Sequence, residues 1–77
     1  MRYYFHHLKR DRAILDLEGS EHRDLDAARD EAVDAAREIM ATAIRKGLDV
    51  SHESFRIVDA DRAFCASVSF AAALRRA

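Results

Sequence analysis

Between Asp24 and Lys46 the apolar positions recur at spacings of three and four. Stepped at about 100° per residue, Leu25, Ala28, Ala32, Ala36, Ile39 and Ala43 fall on one stripe. Asp26, Asp30, Glu31, Asp34, Arg37, Glu38 and Arg45 fall elsewhere. This pattern predicts an amphipathic helix. Asp24 is placed to accept from the free N–H groups of its first turn. Acids fill the first half and Arg45-Lys46 close the helix, which complements the helix dipole. Gly47 suits the left-handed residue that ends a helix.

On either side of this helix the period changes. Tyr3 to Leu8 is aromatic and apolar and reads as a strand. The polar Lys9-Arg10-Asp11-Arg12 reads as a turn, and the apolar run Ala13 to Leu17 as a second strand. Phe55 to Val58 predicts a third strand, Asp59-Ala60-Asp61-Arg62 a turn, and Ala63 to Val68 a fourth. Strict alternation puts Phe64, Ala66 and Val68 on one face of that fourth strand, with Cys65 and Ser67 on the other. A short helix capped by Ser69 is expected in the tail up to Arg76. The fold class expected is α+β: a two-layer ββαββ domain spanning residues 1–77, an antiparallel sheet packed on one long helix. The alanine-rich stripe lets that helix lie close to the sheet.

A single helix covers one sheet face only. On β alternation Tyr3 and Phe5 are expected against the helix, leaving Tyr4, His6 and Leu8 on the uncovered face. Val33, Met40 and Ile44 form a second apolar strip beside the alanine stripe. These six residues are the candidate interface, and the expectation is a self-associating module, a homodimer, or one that docks an unidentified protein partner.

Composition narrows the classes. One cysteine, Cys65, excludes a disulfide framework and a cysteine-pair zinc ribbon. A lone thiol fits a reducing cytoplasm, and the expected location is cytoplasmic. A hydrophobic fraction of 49% with 35% charged residues describes a folded globule, not a disordered tail. No apolar run approaches the roughly 20 residues that span a bilayer, so no membrane is expected. The net charge is −1, but acids concentrate in residues 16–38 and arginines toward both ends. That balance supplies no strong basic patch for nucleic acid.

No catalytic, cofactor or metal site is expected. His6 and His7 are neighbours on a strand and point to opposite faces, so at most one can join a given site. His22, His52 and Cys65 bring no metal-ligand spacing with them. Cys65 reads as a buried, inert thiol. The glycines Gly19 and Gly47 stand alone, without a phosphate-binding loop. A chain this short is expected to have little room for a pocket of a few hundred Å³, and no enzymatic activity is expected. A nucleic-acid reading ranks lower: Tyr4 and His6, with Arg2, Arg10, Arg12, Arg56 and Arg62 at the sheet's edges, would have to converge on one surface.

The order Arg2-Tyr3-Tyr4-Phe5-His6, Asp16-Leu17-Glu18-Gly19-Ser20-Glu21 and Asp24-Leu25-Asp26-Ala27-Ala28-Arg29 resembles a family of short proteobacterial proteins known as a domain of unknown function. Its members open with R-Y-[YF]-F-H, continue with D-x-x-G-x-E and enter the helix with D-L-x-x-A-R. Asp59-Ala60-Asp61 and Val68-Ser69-Phe70 match its closing turn and ending. The chain departs at Lys9-Arg10-Asp11-Arg12 and at Arg62, where members often have glycine. This resemblance implies a fold and no activity. The architecture is also distantly similar to the HicB-type antitoxin domain, whose Pro-Asp-Leu-Pro-Gly loop is missing here. That likeness implies, as an alternative function, an antitoxin or RNA-associated regulator working through the open sheet face.

Overall fold

A computed structural model describes residues 1–75. The long helix, α1 (Leu25–Arg45), forms as its stripe predicts. The Asp24 carboxylate accepts from the Ala27 N–H at 2.9 Å. This bond is the main reason its carboxyl is held below the usual range. At the other end Gly47 turns left-handed at φ 78°, and the Leu48 N–H reaches back to the Ala43 carbonyl. That is the pattern that satisfies the last carbonyls of a helix.

Five strands form one antiparallel sheet: β1 (Arg2–Leu8), β2 (Ala13–Ile14), β3 (Ser20–Glu21), β4 (Ser54–Asp59) and β5 (Phe64–Ser69). β4 lies on one side of β1 and carries β5 on its far edge. β2 and β3 share the other side of β1. The helix α2 (Phe70–Arg75) follows β5 directly. Ser69 caps it, its hydroxyl accepting from the Ala72 N–H at 3.0 Å. Arg76 of the expected tail helix lies outside the described residues.

Both helices cover the same sheet face. Ala28, Ala32 and Ala36 are fully buried against it, and the absence of larger side chains is what allows this close approach. Tyr3, Phe5, Phe55, Ile57, Ala66 and Val68 meet them from the sheet. Tyr3 and Phe5 therefore face the helix, as the alternation predicts. Burial pushes the Tyr3 phenol above its ordinary value.

Several expectations need correction. Val33 and Met40 are buried members of the core, not a free strip. The cause is α2, which packs on α1 and widens the buried arc of the long helix; Arg37 Nε donates to the Ala73 carbonyl at 3.0 Å. Ile44 alone of that strip is exposed, at 72%. The second strand stops at Ile14, leaving Leu15 and Leu17 exposed in a loop. Ser20–Glu21 supplies an unforeseen third strand in its place.

The remaining correction is in β5. Ile57 pairs with Ala66 but Val58 pairs with Phe64, so a bulge inserts an extra residue at Cys65. Phe64 is thereby turned away from Ala66 and Val68 to the face opposite the helices. Cys65 is half-buried, not buried, and its thiol donates weakly to the Ala63 carbonyl.

Candidate functional site

The face opposite the helices is open. From β1 it carries Tyr4, His6 and Leu8; the register sets Val58, Arg56 and Ser54 beside them on β4. A groove of about 570 Å³ runs over this face. Tyr4, His6, Arg56 and Val58 form its floor, the loop residues Leu15, Asp16 and Leu17 one flank, and Ala60 with Arg62 the other. The expectation that the chain lacks room for a pocket is therefore wrong in volume. The space arises because one sheet layer is left bare and two loops rise beside it.

The Leu15–Leu17 flank is held by Asp16. Alternate residues of β1 turn their N–H groups toward the edge that β2 and β3 share. β2 reaches His7 and β3 reaches Tyr3, which leaves Phe5 between them without a strand partner. The Asp16 carboxylate fills that gap, Oδ2 accepting from the Phe5 N–H at 3.0 Å. Its Oδ1 accepts from the N–H groups of Glu18 at 3.2 Å and Gly19 at 3.0 Å. The Asp16 N–H in turn donates to His6 Nδ1 at 3.1 Å. Gly19 then passes beneath the Tyr4 ring at φ 70°.

Partial burial pushes the Asp16 carboxyl up, but the N–H groups of Phe5, Gly19 and Glu18, with the nearby His6, outweigh it and hold it below the ordinary range. A carboxyl lowered by folding stabilises the fold above its unfolded pKa and loses that contribution as pH falls through its folded value. Asp16→Asn should thus cost about 1–3 kcal/mol at pH 7. The gap between variant and wild type should close as pH drops below about 4. Urea unfolding of both proteins across that range checks this; a pH-independent gap would assign the loss to packing instead of charge.

The same bonds limit what the groove can do chemically. A neutral His6 has one basic ring nitrogen, and that nitrogen accepts from the Asp16 backbone. Both oxygens of Asp16 are engaged. Among the described residues no serine, threonine or cysteine lines the groove; its one hydroxyl is the phenol of Tyr4.

The second histidine goes to the other side of the sheet. His7 Nε2 meets Glu53 Oε1 at 2.6 Å, with the His7 ring 5.3 Å from both Phe55 and Phe70. This pair, with Glu53 buried and His7 half-buried, closes the core beside the start of α2. His22 packs against Phe5, and His52 stands 4.0 Å from Glu53. Among the described residues, no group of three or more His, Cys, Asp or Glu side chains is placed to hold a metal ion.

The arginines do not converge. Arg2 is neutralised by Glu21 at 3.0 Å and donates to the Glu18 carbonyl. Arg10 and Arg12 belong to the turn beyond Leu8, whereas Arg62 follows Asp59, the partner of Tyr3. From Tyr3 to Leu8 the strand runs about 17 Å. Among the described residues only Arg56 and Arg62 reach the groove. Among the described residues neither makes an ion pair. The Arg56 guanidinium lies over the Phe64 ring, 4.6 Å from its centroid.

Of the six candidate interface residues, Tyr4 and His6 line the groove, Leu8 lies on the same face, Ile44 is exposed elsewhere, and Val33 and Met40 are core. Sequence reasoning missed Leu15, Leu17 and Phe64 as open-face residues. The hairpin arginines were visible to it, but not their opposite placement.

The family model described as Domain of unknown function (DUF6894) matches residues 2–71. The chain belongs to that family. No curated protein and no solved structure matches it at significant similarity.

Proposed function

We propose that this domain is a non-enzymatic, cytoplasmic binding module that docks a partner protein on the open face of its sheet. One observation carries the reading. The groove is lined by the exposed apolar side chains of Leu17 at 83% and Leu15 at 59%, with Phe64, 54% exposed, under its Arg56, while the acid and imidazole in it are tied to backbone groups. Large side chains left in water around a concave floor favour association, and committed polar groups do not favour catalysis.

Face-to-face pairing with a second copy is the weaker form of this reading. It brings two grooves that each carry Arg56 and Arg62 together, and the Val33–Met40 strip that suggested a homodimer is already buried. An RNA-binding form needs more cations than the two that reach the groove.

The test is a photo-crosslinking residue at Leu17, compared with one at Glu31 on the outer face of α1, in native cells. Discrete adducts at Leu17 alone support the module. Equal adducts at both positions, or none, overturn it. An adduct of twice the chain's own mass would assign the face to a second copy.

No helix among the described residues is long and apolar enough to cross a membrane.

A further inference from the structure

The open-face groove has a charge as well as a shape. Its two arginines lack acid partners, and its one carboxylate, on Asp16, is saturated by three backbone N–H groups. Those bonds leave the Asp16 charge in place, so the lining sets two guanidinium charges against one carboxylate, a net positive balance in a chain whose formal charge is −1. Apolar surface at Leu15 and Leu17 lines it, and the exposed Phe64 ring lies under Arg56. From this juxtaposition we infer that the groove takes an acidic peptide segment, its carboxylates on Arg56 and Arg62 and its apolar side chains on the leucine flank. The inference rests on the binding-module reading and names the chemistry of its partner.

Arg56 is prepared for a carboxylate. The cation–π contact with Phe64 holds the guanidinium over that ring, so its N–H fork needs little further ordering to bind. Arg–carboxylate pairs of this kind are among the stronger hydrogen-bonded contacts.

Arg62 makes a different case. It sits at φ 65° at the end of the hairpin, a conformation that glycine adopts freely and a branched-off Cβ resists. The turn itself gains nothing visible from the side chain: Asp59 Oδ1 accepts from the N–H groups of Asp61 and Ala63, and the Asp59 carbonyl accepts from the Arg62 N–H. A long cation stands where the backbone favours glycine, and it lines the groove.

Nucleic acid fits the same groove less well. The Tyr4 ring is pressed onto Gly19, so a base would have to displace that contact before stacking on it.

The probe is a short fluorescent peptide alternating glutamate with leucine, set against its lysine–leucine counterpart and oligouridine. The wild-type domain should bind the acidic peptide, more weakly as salt rises, and ignore the lysine peptide. Arg56→Met, which keeps the stem and removes the charge, should weaken binding roughly tenfold. Arg62→Gly should weaken it severalfold and yet raise the melting temperature, a pairing of signs that a structural role for Arg62 does not produce. Binding that ignores both substitutions, or that prefers the lysine peptide or oligouridine, overturns the inference. If Leu17 adducts form in cells while the acidic peptide fails to bind, the module stands and this partner chemistry falls. If neither occurs, both fall.

Discussion

Replacing Phe70 by alanine is expected to remove about 3–5 kcal/mol of stability. Phe70 is fully buried and, with Ile57, is one of the two largest fully buried side chains. Its ring lies 5.3 Å from Phe55 and 5.3 Å from His7. Its backbone N–H donates to the Glu53 carbonyl, so the residue ties β4, the His7–Glu53 pair and α2 to one point. A domain of this size has about 4–12 kcal/mol in all. The variant should therefore melt about 15–30 °C lower, if it folds. Leu74→Ala, on the exposed side of the same short helix, should change stability by less than about 0.5 kcal/mol. Urea or thermal unfolding of the two variants checks the contrast. Equal small losses would mean that α2 is an appendage and that the core ends at β5.

Phe70 also marks where the sequence stops being sufficient. The long helix was readable because its stripe, its Asp24 cap and its Gly47 stop agree with one another. The phase of β1 was readable because Tyr3 and Phe5 alternate with Tyr4 and His6, and a strand has two faces only. The docking of α2 onto α1 was not, since a six-residue helix has no periodicity long enough to show which way it packs. Without it, Val33 and Met40 look like free surface.

The open face was half legible for related reasons. Its floor followed from alternation along β1. Its flanks depend on two local departures from strand geometry. Leu15 and Leu17 have strand propensity, yet the Asp16 carboxylate takes the place of a strand partner at Phe5 and lifts them into a loop. An extra residue at the β5 bulge moves Phe64 across the sheet, which a count by twos cannot register. Each departure is a backbone–side-chain bond or a register shift, and neither changes the hydrophobic pattern. The groove's volume depends on both, which is why a reading from chain length underestimated it.

Gly19→Ala should be the most damaging single methyl in the chain, costing about 3 kcal/mol or more as conformational and steric penalties combine. At φ 70° any side chain meets the left-handed penalty of about 1–2 kcal/mol. A Cβ there would also lie 2.9 Å from the Tyr3 carbonyl oxygen and 2.8 Å from Tyr4 Cε2. The Tyr3 backbone has little freedom to retreat, because Tyr3 pairs with Ser20 on one side and Asp59 on the other. Relief must come from the loop. Lifting it breaks the Gly19 N–H bond to Asp16 and withdraws the carboxylate from the Phe5 N–H, which is then left half-buried without a partner. Gly47→Ala is the matching control: its φ is 78° and nothing lies within 4 Å of the added Cβ, so it meets the conformational penalty alone. Urea unfolding of both variants separates the two contributions. If they lose equal stability, the loop is loosely seated and the groove lacks a fixed flank. If Gly19→Ala loses clearly more, the excess measures how firmly the Asp16–Gly19 turn holds Leu15 and Leu17 beside the sheet, and the same variant should lose binding at the open face even where it remains folded.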